Sequence, residues 1–386
     1  MVYAFSWYNV GAVLPLIGVA LSAGPAQLGV VLGAFLVGVG IFQVPAGLAS
    51  VRYGARTVSL LGLVILGAGG VASAFAPSWP VLALLRGIAG IGAALFFSPA
   101  LGLIASYFPA GQRGPVIGFY NGGFSVGGAL GLFGGASLGI AFGWSAALAA
   151  GGVALLGMAG VAALLLPAPE RAEPPKPLAE VWARGREILT SRSIWALSLG
   201  LTGFWSAIYV VGQDFVVYAA ADHAAWGIGA AAAVTTGVVL AAFPGGPVGG
   251  WLAERTRSRR SLAAGFTILS AGCVALLPFA PLMVLVPDLI ALGFFDGVVF
   301  SILYLIPTYL PEARGEGLAL GVGVVNSIQV SLGSLVAVAF GVIAASLGYT
   351  VAWEFAALLT VAVLPLLAFV EVTGPGAGAP VDGPRP

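Results

Sequence analysis

The sequence predicts an all-α membrane protein with twelve transmembrane helices. Hydrophobic residues make up 60% of the chain and charged residues only 8%, whereas soluble domains carry about 25% charged residues. The mean hydropathy is correspondingly high, at +1.06. Runs of about 20 apolar residues, the length that crosses a bilayer as a helix, recur between short loops that contain proline, glycine or charge. Together these observations favour a helical bundle within a membrane.

The predicted helices follow the apolar runs in order. They cover 2–21, 27–50, 57–76, 80–107, 115–139, 143–166, 192–219, 228–252, 261–279, 282–309, 317–345 and 350–370. These runs divide the chain into an N-terminal six-helix bundle over 1–166, a linker over 167–191 and a C-terminal six-helix bundle over 192–372. The last segment, 373–386, is rich in glycine and proline, and we expect it to be disordered.

The linker, "PAPERAEPPKPLAEVWARGREILTS", is the longest polar stretch of the chain. Its first part is rich in proline and is expected to be extended. Its second part, from Pro177 to Thr190, has the pattern of an amphipathic helix on the membrane surface. In that arrangement four apolar side chains face lipid: Leu178, Val181, Trp182 and Ile188. The alternative is a plain connection between the two halves.

Basic residues occur only in every second predicted loop and in the last segment, apart from one inside a helix. They are Arg52, Arg56, Arg113, Arg171, Lys176, Arg184, Arg186, Arg192, Arg255, Arg257, Arg259, Arg260, Arg314 and Arg385. Loops that alternate along the chain lie on one side of the membrane, and Lys and Arg favour the cytoplasmic side. We therefore expect a multi-pass protein of the plasma or inner membrane with both termini in the cytoplasm.

Two pairs of loop segments indicate an internal repeat. "SYFPAGQRG" at 106–114 resembles "TYLPEARGEG" at 308–317, and "GLASVRYGAR" at 47–56 resembles "GWLAERTRSR" at 250–259. Both pairs are separated by about 200 residues, which is the spacing expected for a duplicated six-helix unit. The repeat therefore predicts two pseudo-symmetric six-helix bundles.

These loop motifs, with "LLRGIAGIGAALFFSPALGLIASYFPAGQRG" in the fourth predicted helix, resemble the major facilitator superfamily from residue 1 to about 372. The resemblance implies a secondary transporter whose two bundles rock around a central cavity and expose one site alternately to each side. It also implies that the first, fourth, seventh and tenth helices line this cavity, and that a monomer is sufficient.

The loop motif departs from the family pattern at its fifth position, where the family has aspartate. The first copy has Val51 and the second has Glu254. In the family this carboxylate joins loop arginines and helix ends across the two halves, and a carboxylate beside arginines does form strong hydrogen bonds. The gating residues predicted from both copies are Arg52, Arg56, Glu254, Arg255 and Arg259. The alternative is that the arginines serve topology alone.

Ionisable residues inside predicted spans are costly and therefore indicate function. They are Arg86, Asp214, Asp288, Asp296 and Glu354. Asp296 lies eight residues beyond Asp288, which is about 12 Å deeper along a helix, near the middle of the membrane. We therefore predict that Asp296 carries the coupling proton; a hydrogen-bonded structural aspartate and a direct solute contact are the alternatives. Glu354 is expected at the membrane interface.

Arg86 is predicted either to alternate between a carboxylate and the solute or to form a permanent ion pair. Further polar and aromatic residues are expected to line the cavity: Tyr8, Asn9, Tyr120, Asn121, Trp205, Tyr209, Gln213, Tyr304, Asn326 and Gln329. Trp205, Tyr209 and Gln213 share one helix face because they are spaced by four residues. Each of these residues could instead join helices to one another.

The predicted function is secondary transport of a small organic solute, coupled to protons. Three carboxylates on cavity-lining helices favour a neutral, amphiphilic or cationic solute. A small organic anion held by Arg86 is the alternative, and so is a non-transporting sensor or lipid-handling protein of the same fold. One cysteine and one histidine exclude the common metal motifs, and we expect no cofactor, no enzymatic activity and no nucleic-acid partner.

Overall fold

The computed structural model describes residues 1–166, 176–208, 210–211, 215, 228–256, 258–313, 315 and 317–371. Within these residues the secondary structure is helical and contains no strand, as predicted. The helices before the linker are α1 (Val2–Ala20), α2 (Pro25–Tyr53), α3 (Ala55–Ser73), α4 (Trp79–Tyr107), α5 (Ala110–Phe142) and α6 (Trp144–Leu165). The linker contains α7 (Leu178–Leu189).

The helices after the linker are α8 (Arg192–Gly200), α9 (Ile228–Arg255), α10 (Arg259–Leu276), α11 (Leu282–Leu305), α12 (Gly317–Leu347) and α13 (Tyr349–Ala362). Residues 202–208 are also helical and continue the seventh predicted helix. Short 3-10 helices extend α11 and α13, at Ile306–Tyr309 and Leu364–Phe369. We call α1–α6 the N-half and α8–α13 the C-half.

Nine helices in the described part of the chain are long and apolar enough to cross a membrane. The remaining predicted spans correspond to α8 with residues 202–208, to α10 and to α12. The chain is therefore a multi-pass, all-α membrane protein with the predicted twelve-helix arrangement.

Glycine allows the helices of each half to pack closely. A Cβ added at Gly92 of α4 would lie 2.3 Å from the backbone nitrogen of Leu66 on α3, and one at Gly293 of α11 would lie 2.1 Å from the carbonyl oxygen of Val238 on α9. Because lipid provides no hydrophobic drive for helix association, such close backbone contact is a main source of attraction within a membrane. The many glycines of the sequence therefore mark helix contacts.

The two halves meet where the basic loops lie, a region that we call the arginine-rich end. There α2 packs on α12 and α5 packs on α9. A Cβ at Gly47 would lie 2.4 Å from Cα of Leu320, and one at Gly118 would lie 2.4 Å from the carbonyl oxygen of Gly246. These backbone contacts close the arginine-rich end of the molecule.

The linker helix α7 packs on both halves, against α2 and α12. Val181 and Ile188 are buried in these contacts, whereas Leu178 and Trp182 are 60% and 61% exposed. The prediction that all four side chains face lipid is therefore wrong for Val181 and Ile188. The apolar face of the helix is therefore shared between the protein and its surroundings.

The repeat is visible in two equivalent arginines. Arg56 donates to the carbonyl oxygens of Ala163 and Leu166, at the end of α6. Arg260 donates to the carbonyl oxygens of Ala368 and Val370, at the end of the last helix. Each arginine satisfies carbonyl groups that a helix end leaves without partners. Arg56 is thus equivalent in its contacts to Arg260. The aligned loop motifs pair it instead with Arg259, one residue earlier.

Candidate functional site

Aromatic rings form a layer where the N-half and the C-half meet at the centre of the molecule. Phe97 of α4 and Tyr304 of α11 have ring centroids 5.3 Å apart, and those of Phe124 on α5 and Phe300 on α11 are 6.2 Å apart. Trp205 stacks on Phe300 at 5.3 Å with an interplanar angle of 12°. We call these five rings the aromatic layer. Because both halves contribute to it, a movement of one half against the other must change its shape.

Polar atoms beside the aromatic layer are only partly paired. The Tyr120 hydroxyl donates to the carbonyl oxygen of Phe97 at 3.1 Å, and the Tyr304 hydroxyl donates to Asn326 Oδ1 at 2.5 Å. Asn121, on the same helix as Phe124, is buried, yet neither of its amide atoms has a partner among the described residues, and the same is true of Trp205 Nε1. Buried polar groups are nearly always hydrogen-bonded, so we expect water or a solute to supply the missing partners of these atoms.

Two of the predicted cavity residues instead join helices within one half. The Asn9 amide of α1 donates to the carbonyl oxygen of Ala147 on α6 at 2.9 Å. The Gln329 amide of α12 donates to the carbonyl oxygen of Ser198 on α8 at 2.6 Å. Tyr8 is half-buried, and its ring contacts Phe124 at 5.9 Å. Tyr209, Gln213 and Asp214 lie outside the described residues.

Arg86 is a fully buried cation on α4, with 2% of its side chain exposed. Its guanidinium lies 4.3 Å from the ring centroid of Phe35 on α2, and this ring packs edge-on against Trp7 of α1. Within the described residues, Arg86 Nε has no hydrogen-bond partner and the guanidinium forms no ion pair. The ion pair that was one interpretation of Arg86 is thus not formed by those residues.

Asp288 and Asp296 of α11 each have a neighbour on α10. Ser270 donates to Asp296 Oδ1 at 2.9 Å, and Cys273 lies beside Asp288. Asp288 Oδ2 has no hydrogen-bond partner in the part of the chain that the structure describes. Neither carboxylate forms an ion pair with any described residue. These contacts place both carboxylates between α10 and α11 of the C-half. A sum of the charged residues on each helix therefore does not give the charge that faces the central region.

Glu254, at the end of α9, joins the two halves at the arginine-rich end. Its Oε1 accepts a hydrogen bond from the backbone nitrogen of Gly114 on α5 at 2.9 Å, and its Oε2 accepts one from the Tyr309 hydroxyl. Arg259 Nη2 lies 4.0 Å from the same Oε2, and the Arg259 guanidinium lies 3.7 Å from the Tyr309 ring centroid. We call these four residues the Glu254 latch. Nearby, Arg255 lies 4.1 Å from the Trp251 ring centroid.

The first copy of the loop motif forms different contacts. Val51 is buried and has no carboxylate, and the Arg52 guanidinium lies 5.2 Å from the Tyr53 ring centroid. Arg52 Nε and Nη1 have no hydrogen-bond partner among the residues that the structure describes. Arg56 is occupied by the end of α6, as described above. Glu354, expected at the membrane interface, is exposed.

Sequence analysis missed several residues of this site. Tyr309 lies in the repeated "TYLPEARGEG" segment. The presence of a tyrosine at this place in both copies of the segment could have indicated its role. Phe124 and Phe300 gave no signal, because single aromatic residues are common in membrane helices. Gln43 of α2 is fully buried and accepts from Ser98 of α4 at 2.6 Å, a pair that only the helix packing brings together.

Known structures resemble this one closely in fold. The fucose:proton symporter of E. coli aligns with a TM-score of 0.75 over 96% of this chain and 97% of its own, at 16% identity. A further structure of that symporter, in the outward conformation, gives 0.74. The proton:xylose symporter bound to 6-bromo-6-deoxy-D-glucose also gives 0.74, over 96% of this chain and 93% of its own, at 16% identity.

Relatives in sequence match over shorter stretches. The Hexuronate transporter of Bacillus subtilis (strain 168) is 33% identical over 118 residues, which are 30% of this chain and 28% of that protein. The Multidrug resistance protein Stp of Mycobacterium tuberculosis (strain CDC 1551 / Oshkosh) is 31% identical over 119 residues, or 31% of this chain and 22% of that protein. The match thus spans less than a third of each curated relative.

The family is established by a match over most of the chain. Residues 1–333 fit the model of the Major Facilitator Superfamily, and the twelve-helix fold agrees with it. Membership makes the chain a transporter and not an enzyme. The chain belongs to the Major Facilitator Superfamily.

Proposed function

We propose that this transporter binds a small organic solute at the aromatic layer and moves it together with a proton. The single observation that supports this most directly is the contact of rings from both halves, Phe97 with Tyr304 and Phe124 with Phe300. A solute at this layer would contact both halves, so its binding energy would depend on how they are arranged. This dependence is what a carrier with alternating access requires.

The proposal includes an orientation. The positive-inside rule puts the arginine-rich end in the cytoplasm, with both termini on that side of the inner or plasma membrane. Since the close contacts of Gly47 and Gly118 lie at this end, the solute route would then open outward.

The proposed proton site is Asp296. Its side chain is buried, it accepts one hydrogen bond from Ser270 and it forms no ion pair with the described residues. An ionised aspartate at the centre of a membrane helix costs about 2.5–3.5 kcal/mol on insertion scales. Such a group favours its neutral form when it is enclosed and can release its proton when water reaches it, which couples protonation to conformation.

Asp296→Asn tests this site. We expect the variant to lose solute accumulation driven by a pH gradient in proteoliposomes, while solute exchange without a gradient continues. Asparagine keeps the shape and the hydrogen bond with Ser270 but cannot carry a proton. Ser270→Ala is the complementary control, because it removes the hydrogen bond that Asp296→Asn keeps and leaves the carboxyl group; it should keep gradient-driven accumulation. Normal accumulation by Asp296→Asn would refute the assignment.

The substrate class follows from the charges that face the aromatic layer. The prediction of a neutral, amphiphilic or cationic solute rested on three carboxylates on cavity-lining helices, but Asp288 and Asp296 have their neighbours on α10. The contacts therefore favour a neutral solute that stacks on rings and hydrogen-bonds to Asn121 and Trp205. Sugars fit this description, and the symporters of similar fold are named for fucose and xylose.

A second candidate substrate is a small organic carboxylate held by Arg86. The observation that favours it is the burial of this cation without a carboxylate partner among the described residues. A carboxylate would satisfy the unpaired guanidinium through charge-assisted hydrogen bonds. The partial likeness to a Hexuronate transporter supports this candidate, since a hexuronate combines a sugar ring with a carboxylate.

A further inference from the structure

The repeat makes it possible to compare the latch of one half with the same place in the other. Glu254 is equivalent to Val51 in the aligned loop motifs, which are 203 residues apart (254 − 51). Gly114 donates to Glu254, and the residue at the same spacing from Gly114 is Gly317 at the start of α12 (317 − 114). The Glu254 latch therefore has an equivalent position between α2 and α12. There the carboxylate is missing, because residue 51 is valine.

Side chains of the linker helix occupy the position beside Gly317. A Cβ at Gly317 would lie 2.8 Å from Arg184 Nε, 2.9 Å from Arg184 Nη2 and 3.0 Å from Ile188 Cδ1. In the other half, a Cβ at Gly114 would lie 2.6 Å from Cγ of Glu254. The start of α12 is thus covered by α7, whereas the start of α5 is covered by the latch carboxylate.

The same turn of α7 is held against the N-half. Leu48 of α2 lies against Gly185, where a Cβ would be 2.8 Å from Leu48 Cδ2. Arg184 forms an ion pair with Glu187 one turn along the helix. Arg184 and Glu187 line a cleft of about 420 Å³ together with Val51. The helix therefore connects α2 and α12 at the place where the valine leaves space.

We propose that α7 replaces the missing latch of the first motif copy and holds the arginine-rich end closed through Arg184. The helix contacts α2 on one side and the start of α12 on the other. These two helices belong to different halves, so they must separate for this end to open, and α7 must then leave one of them. Arg184 is a gating residue in this assignment, and Glu187 holds its guanidinium in place.

Distance measurements between the halves test this assignment without any solute. Spin labels at positions 107 and 261, both exposed at the arginine-rich end, are compared by pulsed electron resonance in purified full-length protein with Cys273→Ala. We expect Arg184→Ala to raise the long-distance population at least twofold. Glu187→Gln should raise it less, since it keeps the arginine side chain. Arg186→Ala removes the same charge from an exposed site of the same helix and should match the parent protein.

Two further variants complete the comparison. Glu254→Gln weakens the latch of the second copy and should also raise the long-distance population. Val51→Asp provides a carboxylate at the position equivalent to Glu254, and in the Arg184→Ala protein it should restore at least half of the lost short-distance population. Equal distance distributions for Arg184→Ala and Arg186→Ala would overturn the proposal, and so would a failure of Val51→Asp to restore closure. If Arg184→Ala does not fold, Glu187→Gln decides, and an unchanged distribution for that variant refutes the proposal.

Discussion

At the scale of single residues, Arg86 decides between the two candidate substrates. Its guanidinium packs on the Phe35 ring, and its Nε has no partner among the described residues although only 2% of the side chain is exposed. A buried charge without a charged partner is costly, and the ring can offset only about 2 kcal/mol or somewhat more of this cost. A bound carboxylate would offset the remaining cost of burying the Arg86 charge, whereas a neutral solute would not.

We expect Arg86→Gln to separate these cases in a binding competition with three probes. The probes are a neutral hexose, the matching hexuronate and a lipophilic cation. If the solute is an anion, the substitution should weaken hexuronate binding at least tenfold and leave hexose binding within about threefold, because one charge-assisted hydrogen bond contributes about 1.5–3 kcal/mol. Arg86→Lys keeps the charge and should lose less. The hypothesis of an anionic solute would be excluded if the parent protein and Arg86→Gln bind hexose equally well and neither binds hexuronate.

The sequence predicts residue depth, but it does not indicate residue direction. The position of Asp296 within its apolar run predicts a depth near the middle of the membrane, because a helix rises by a constant length per residue. Its hydrogen bond with Ser270 depends on how α10 and α11 are rotated against each other, and a run that is apolar on all sides does not indicate this. The same reason explains why Asn9 and Gln329, predicted for the cavity, join helices instead.

At the scale of helices, the contact between α5 and α9 is built from glycine. A Cβ at Gly118 would lie 2.4 Å from the carbonyl oxygen of Gly246, and one at Gly250 would lie 2.0 Å from that of Gly114. Real Cβ atoms do not approach backbone so closely, so a side chain here must push the helices apart. The two helices belong to different halves, and their separation would open the arginine-rich end.

We expect Gly118→Ala to favour opening of this end, because overpacking of a close contact typically costs 1–3 kcal/mol. A cysteine at Ala105, which is 1% exposed near the arginine-rich end of α4, reports the change through its reaction with a maleimide. Its labelling rate in detergent should rise severalfold in the Gly118→Ala protein. Gly157→Ala on α6 is the control, since nothing lies within 4 Å of a Cβ there. Equal labelling rates for the two variants would contradict the expectation.

Helix order and approximate bounds were predictable because apolar runs and interrupting loops alternate clearly. The linker was the weakest element. Its amphipathic pattern correctly predicted α7, but the prediction that its whole apolar face meets lipid was wrong, since Val181 and Ile188 pack on protein. An amphipathic pattern shows that one face avoids water and does not show whether lipid or another helix covers it.

At the scale of the whole molecule, the alternation of basic loops predicts which end faces the cytoplasm. We expect a cysteine at Phe75, 78% exposed between α3 and α4, to react with a membrane-impermeant maleimide on intact cells. A cysteine at Tyr107, at the arginine-rich end of α4, should react only after the cells are permeabilised. Both substitutions are made in the Cys273→Ala protein. The opposite labelling pattern would reverse the orientation.

The arginines that end α6 and the last helix have a consequence for how this protein is made. Arg56 ties the second and third helices of the N-half to its final helix, and Arg260 does the same in the C-half. Each half thus has hydrogen bonds that join its last helix to an earlier helix, and they are formed by residues of that half alone. During synthesis the N-half can complete its packing before the C-half leaves the ribosome, in keeping with the folding of domains as units. Two separate polypeptides, divided within the linker, would then be able to assemble into one carrier.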